Sequence, residues 1–248
     1  MNSVAHSLSS VPNLKQASRI ENRLLAKLTP DEYERFSARF EYLSLPKNRI
    51  LYEVGDVMHH AYFFNAGMTS LLALNDEGDT IEIGIVGREG FVGMPIIRGV
   101  GHTPFRVMTL LASQAIRVSA ETLQEEFVQG GKLHEGLLRY SQVPETQMVQ
   151  STICNLYHSV EARLCRWLLI TQDCSRSDSI ELTQENIAIL LGKHRNRISV
   201  AAGELQQRGL ITYNRRGRII IVDREGLAES ACECYRIVND CIAEVFFT

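Results

Sequence analysis

The stretch Leu182-Thr-Gln-Glu-Asn-Ile-Ala-Ile-Leu-Leu-Gly-Lys-His-Arg-Asn-Arg-Ile-Ser-Val-Ala-Ala-Gly-Glu-Leu205 constrains this chain more than any other. Thr183 can cap a helix, and Ile187, Leu190 and Leu191 form that helix's apolar face. Ala188 is small, as a close helix crossing requires. Gly192 falls where the chain must turn sharply, and glycine tolerates positive φ there. A second helix, about His194 to Gln206, would bury Ile198, Ala202 and Leu205. Two helices joined through a tight glycine turn predict a helix-turn-helix.

The outward face of the second helix carries Lys193, His194, Arg195, Asn196, Arg197, Ser199 and Val200. Arginine can bond O6 and N7 of guanine together, and asparagine N6 and N7 of adenine. These polar residues cluster at the helix N-terminus, the part that reaches base edges in this motif. Thr183 and Gln184, opening the first helix, join the candidate DNA-contacting set. The helix pattern alone also fits an αα-hairpin with a hydrated basic face. The next segment favours the first reading: Leu210 to Val222 reads as strand, turn, strand, with Asn214 to Gly217 as turn residues. Arg215, Arg216 and Arg218 lie at its tip, where a wing would grip phosphate.

Charge supports a polyanionic partner. Between Lys193 and Arg218 seven basic residues face one acid, Glu204, whereas the whole chain has a formal charge of −3. A positive field on an acidic body points to double-stranded DNA at that surface.

Upstream the pattern differs. Residues 18–40 read as helical, with Pro30 as a break and Asp31 and Glu32 in the first turn of a second helix. From Glu41 to Ser119 short strands alternate with glycine-bearing turns: Arg49–Val54, Ala61–Asn65, Ser70–Leu74, Thr80–Val86, Phe105–Leu111 and Ala115–Ser119. Ile81, Ile83 and Ile85 alternate with Glu82 and Gly84, the period of a strand with one buried face. Many short strands at this spacing predict a sandwich or barrel. After Glu121 a helical period runs to about Gln172, and Pro144 should kink or end a segment. Val149, Ile153, Leu156 and Val160 recur at steps of four, three and four, the seam of a helix pair; pairing between two copies is expected, the alternative being a helix packed on its own domain.

The fold class is therefore α+β. A short disordered lead (1–17) precedes a double-stranded, jelly-roll-like β-roll (18–130), a long dimerisation helix (131–158) and a C-terminal winged helix-turn-helix (159–248). No apolar run is long enough for a membrane span, and Met1 to Ser10 has no secretory character, so a cytoplasmic protein is expected. The six cysteines, all at or after Cys154, contain no Cys-x-x-Cys, and Cys232, Cys234 and Cys241 do not match a zinc template; no metal site is expected. No Walker loop, Gly-x-Ser-x-Gly or His-Glu-x-x-His occurs, so no catalytic residues are assigned and an enzyme is not expected.

From about Asn22 to Ala231 the chain resembles the Crp/Fnr family of transcription regulators. The resemblance rests on Tyr62-Phe-Phe-Asn-Ala-Gly67, on Gly90-Phe-Val-Gly93, and above all on Leu182-Thr-Gln-Glu with Leu-Gly-Lys-His-Arg195 and Leu205-Gln-Gln-Arg-Gly-Leu-Ile211. It implies a cyclic-nucleotide-binding-like sensor, a homodimer on a palindromic site, and RNA polymerase as a candidate further partner. Arg195 matches the family's guanine-reading arginine. Asn196 and Val200 stand where many members carry glutamate and a second arginine, implying a different half-site. Met94 replaces the glutamate that takes a ribose hydroxyl in cyclic-AMP-binding members, Thr103-Pro-Phe-Arg106 occupies the region of their Arg-Ser/Thr-Ala triplet, and Met148 and Val149 fall where they carry adenine-contacting polar residues. These departures argue against cyclic AMP. The N-terminal cysteines of iron–sulfur members are missing, and His59 and His60 read as surface residues rather than haem ligands. Arg88, Gly93, Met94, Arg98, His102, Thr103 and Arg106 form the candidate effector pocket, for which an anionic ligand such as cyclic di-GMP is the candidate. The alternative is a constitutive regulator whose β-roll binds a protein.

Overall fold

The computed structural model describes residues 20–213 and 217–247. The expected lead at 1–17, and Arg215 and Arg216 of the expected wing, lie outside the described residues.

A single 3-10 turn (Leu25–Lys27) leads into α1 (Pro30–Ser37). Pro30 opens this helix rather than breaking one, because the first helical position has no use for an N–H. Thr29 and Glu32 form a reciprocal capping box: Glu32 N–H donates to Thr29 Oγ1 (3.3 Å) and Thr29 N–H to Glu32 Oε2 (2.8 Å).

Eight strands follow: β1 (Glu41–Leu45), β2 (Ile50–Tyr52), β3 (His60–Ala66), β4 (Thr69–Leu74), β5 (Thr80–Val86), β6 (Phe91–Val92), β7 (Arg106–Thr109) and β8 (Ser113–Ser119), with the short α2 (Met94–Ile97) after β6. They form two antiparallel four-stranded sheets, ordered β1-β8-β3-β6 and β2-β7-β4-β5, which is the expected β-roll. Phe63, Phe64, Phe91, Val107 and Ile116 fill its core.

The helices of the middle third are α3 (Ala120–Val128), α4 (Gly131–Tyr140), α5 (Gln142–Tyr157) and α6 (Val160–Ser175). α4 stops at Tyr140, the residue whose carbonyl the Pro144 ring would meet four positions on, so the proline sits harmlessly in the first turn of α5. A second break was not apparent from periodicity. His158 is extended (φ −96°, ψ 145°) and Ser159 caps α6, its Oγ accepting from Ala162 N–H. The expected seam is therefore split. Val149, Ile153 and Leu156 are exposed on α5, while Val160 opens α6 and packs, partly buried, against the core of the C-terminal unit.

The opposite face of α5 seals the edge strand β5. The Gln147 carboxamide accepts from Ile85 N–H and donates to Ile85 C=O, both at 2.9 Å, closing an otherwise open strand edge.

The C-terminal unit comprises β9 (Ser179–Glu181), α7 (Gln184–Leu190), α8 (Arg195–Gln207), β10 (Ile211–Tyr213), β11 (Arg218–Ile221), α9 (Arg224–Ser230) and α10 (Cys234–Phe247). β10, β11 and β9 form one antiparallel sheet in which β11 is central. α10 runs back along α5, and its last turn delivers Val245 and Phe246 to the β-roll core.

The two halves share a core. Met68, Leu72, Ile85 and Leu110 of the roll pack with Leu164, Trp167 and Leu168 of α6. This changes the reading of β5. Glu82, expected on a wet face, is 8 % exposed, because α6 covers that face. Its carboxylate accepts from Trp167 Nε1 (2.9 Å) and from Ser70 Oγ. Burial pushes the Glu82 carboxyl up to about 7, against the pull of both hydrogen bonds and of Arg166. A raised folded-state value means the proton is held more tightly in the native than in the unfolded chain. The associated stability is fully present below pH ~4.5 and is lost as pH rises through ~7, amounting to roughly 3 kcal/mol. Glu82→Gln is expected to melt at a higher temperature than the parent at pH 8 and to lose that advantage at pH 5. Parallel melting temperatures across this range would exclude Glu82 as the titrating group.

Candidate nucleic-acid interface

Thr183 Oγ1 accepts from Asn186 N–H (3.2 Å) and so starts α7. α7 ends at Leu190, and the turn that follows passes through Gly192, whose φ is +58°. A Cβ there would stand 2.9 Å from Cδ1 of Ile81 in β5, so the glycine answers both a left-handed turn and a close approach of the roll. α8 then rises from Arg195, seated on the core through Ile198, Ala202 and Leu205.

This seating fixes which side chains face outward. His194, Arg195, Asn196, Arg197, Ser199 and Val200 are exposed, and Lys193 is half-buried. Burial and the neighbouring Arg163 and Arg197 charges lower the Lys193 ammonium pKa. Arg195 makes a long ion pair, 3.9 Å, with Glu185. Ser199 Oγ donates to Gln184 Oε1 (2.7 Å), which ties the two helices at their exposed crossing. Thr183, Gln184 and the α8 residues therefore lie on one continuous surface. Arg208 contributes to the net charge of this region but not to this face: it pairs with Glu161 and bonds Ser230 at the far end of α8.

The hairpin after α8 is present as β10 and β11, with Gly217 at φ +80° leading into β11. Arg218 is braced by β9, its Nε donating to Ser179 Oγ (2.7 Å) and its Nη2 3.7 Å from Glu181 Oε1. β9 is an element the sequence reading missed. Its three residues carry no alternation long enough to register, and pairing with β11 defines it. An open cleft of about 970 Å³ separates the N-terminal end of α8 (Lys193, His194, Arg197) from the β4–β5 turn (Asn75, Gly78, Asp79).

The candidate effector residues do not converge. Gly93, Met94 and Arg98 line a cavity of about 190 Å³ in the roll, whose other walls include Leu71, Phe91, Tyr140 and Met148. Arg98 is paired with Glu145 of α5 (2.7 Å). Arg88 lies at a different cavity with Arg23, Glu89 and Asp173. His102 Nδ1 is 3.1 Å from the Gly55 carbonyl, Thr103 Oγ1 donates to Phe105 C=O, and Arg106 is paired with Glu53 (2.7 Å). The arginines that the sequence places close together are thus spread over three sites, two of them neutralised by carboxylates.

Comparison with known proteins bears on the C-terminal unit first. Residues 162–230 match the Crp-like helix-turn-helix domain. The anaerobic regulatory protein of Bacillus subtilis (strain 168) is 21 % identical over 216 residues, covering 83 % of this chain and 90 % of that protein. This chain carries a Crp-like helix-turn-helix domain. Its fold agrees over most of its length with FixK2 from Bradyrhizobium japonicum (TM-score 0.66, 13 % identity, 78 % of this chain and 98 % of that one). It agrees likewise with the c-di-GMP responsive global regulator CLP of Xanthomonas campestris (TM-score 0.61, 18 % identity, 78 % and 99 %). The match to a Crp-like domain identifies α7 and α8 as its helix-turn-helix. Among the described residues, no helix is long and apolar enough to cross a membrane.

Proposed function

We propose that two copies pair through α5 and place their α8 helices in successive major grooves of a two-fold symmetric DNA site, ~10 bp apart. The observation that carries this reading is the exposed, polar N-terminal half of α8, which would turn Arg195, Asn196, Arg197 and Ser199 to base edges and Lys193 and His194 to the DNA backbone. Thr183 and Gln184 at the head of α7, with Arg218 and the wing arginines, would set register on the phosphates. The exposed stripe Val149, Ile153 and Leu156 supports self-pairing, and Tyr157 (79 % exposed) extends it where Val160 does not.

Arg195→Ala is expected to lose about 1–3 kcal/mol of discrimination at one base position per half-site while leaving non-specific binding nearly unchanged. Selection of bound genomic fragments by both proteins, at one stated salt concentration, reads this directly. Equal loss on every sequence would make Arg195 a phosphate contact and overturn its role in base reading.

Control of DNA binding by a molecule held in the roll remains part of the proposal. The 190 Å³ cavity borders α5 through Pro144, Glu145 and Met148, so an occupant there would bear on how α5 helices pair. Its size and apolar walls suit a small apolar molecule better than cyclic di-GMP, which would need the Arg98–Glu145 pair opened.

A further inference from the structure

Three cysteines and a histidine from distant parts of the chain meet behind the DNA-binding unit. Cys154 lies in the last turn of α5, His158 is the residue at which α5 and α6 part, and Cys232 and Cys234 flank the start of α10. Their Sγ atoms and a ring nitrogen all lie within 4.8 Å of one another. Cys154 Sγ is 3.5 Å from Cys232 Sγ, and Cys234 Sγ is 3.6 Å from His158 Nδ1. All three thiols are free and buried.

These separations have a chemical meaning. Around one tetrahedral Zn²⁺, with bonds of ~2.3 Å to sulfur and ~2.0–2.1 Å to nitrogen, the donor atoms stand about 3.5–3.8 Å apart. A cluster of several irons, by contrast, holds its cysteines on different metal atoms and spreads them farther. The surroundings fit as well. His158 Nε2 is 3.2 Å from Glu233 Oε1, the carboxylate partner that a metal-bound imidazole uses on its other nitrogen. Two buried arginines, Arg163 and Arg166, lie close enough for their charges to act on Cys154, and Nε and Nη1 of Arg163 and Nε of Arg166 have no hydrogen-bond partner. Three thiolates on a divalent ion leave one net negative charge in the interior, which these guanidiniums would balance.

We propose that Cys154, His158, Cys232 and Cys234 bind a single thiophilic divalent cation of the Zn²⁺ class in a closed tetrahedral site. Spacing tested Cys232 and Cys234 only with Cys241 and so gave no metal site: Cys154 lies 78 residues from Cys232, and Cys241 is not a member. The ion clamps the end of α5 and the break at His158 to the connection between α9 and α10, so it fixes how the DNA-binding unit is carried on α5. The proposal stands whether or not α8 reads DNA.

The test is to purify the full chain anaerobically, measure its metal content by mass spectrometry, and replace the ion with Co²⁺. One ion per chain is expected, together with the intense visible bands of tetrahedral thiolate-bound Co²⁺. Cys154→Ser and Cys232→Ser should each lose those bands, Cys241→Ser should keep them, and circular dichroism should show all variants folded. If the serine variants unfold, the Co²⁺ spectrum of the parent chain still decides: octahedral, weakly absorbing Co²⁺ overturns the site. So do an iron- and sulfide-containing chromophore, a Cys154–Cys232 disulfide with no retained ion, or bands that survive in the Cys154→Ser/Cys232→Ser double variant.

Discussion

A chain carrying glutamate at both Val149 and Leu156 is expected to fold normally, sediment as a monomer, and lose at least ~10³-fold in affinity for its two-half-site DNA. The fold should survive because both side chains are already exposed, at 56 % and 70 %, on the face of α5 turned away from β5. The residues that hold α5 in place, Val143, Gln147, Ser151 and Cys154, lie on the other face. Across a two-fold helix pair the new carboxylates would approach their own copies in a desolvated seam, where unpaired charge is strongly disfavoured. A monomer offers one α8 where the site has two grooves to fill, and the expected loss spans the usual gap between specific and non-specific binding. Analytical ultracentrifugation and titration of labelled DNA at fixed salt measure both quantities. A double variant that still sediments as a dimer would remove α5 from the interface and refute the pairing proposed above.

Trp167→Ala should cost about 3–5 kcal/mol of stability, the largest single effect expected of any side chain in the joint between the two halves. Trp167 is fully buried in a cluster that includes Leu72 and Ile85 of the roll and Leu164 and Leu168 of its own helix. Its removal leaves a cavity at that joint and strips Glu82 of its indole donor. Trp167→Phe keeps most of the packing and loses the hydrogen bond, so it should cost less, about 1–3 kcal/mol. Chemical denaturation followed by circular dichroism reads both variants. Equal costs for alanine and phenylalanine would mean that the hydrogen bond to Glu82, rather than the packing, holds the joint.

Much of the architecture could be read from residue order. Thr183, the apolar spacing of Ile187 and Leu190, Gly192 and the basic run after it are all local signals, and the helix-turn-helix appears where they place it. Six of the roll's eight strands were visible as alternation and turns; β1, the two-residue β6 and the true ends of the shorter strands were not. Missed features have a common origin. The break at His158 is an extended residue inside a continuous helical period, signalled only by Ser159 as a cap for the next helix. The candidate effector residues are neighbours in sequence, yet Arg88 in the turn between β5 and β6, Arg98 at the end of α2 and Arg106 at the start of β7 face different sites.

The sequence alone determined the parts and their order, because capping, turn chemistry and apolar period act over a few residues and leave their mark there. Only the tertiary structure decided what each part is pressed against: that α6 buries Glu82 in what should have been a wet face, that α10 returns to the roll, and that three thiols and an imidazole from the end of α5 and the start of α10 converge. Those outcomes depend on which distant surface covers a given face, and a periodic pattern records that a face is apolar or polar without recording what lies across from it.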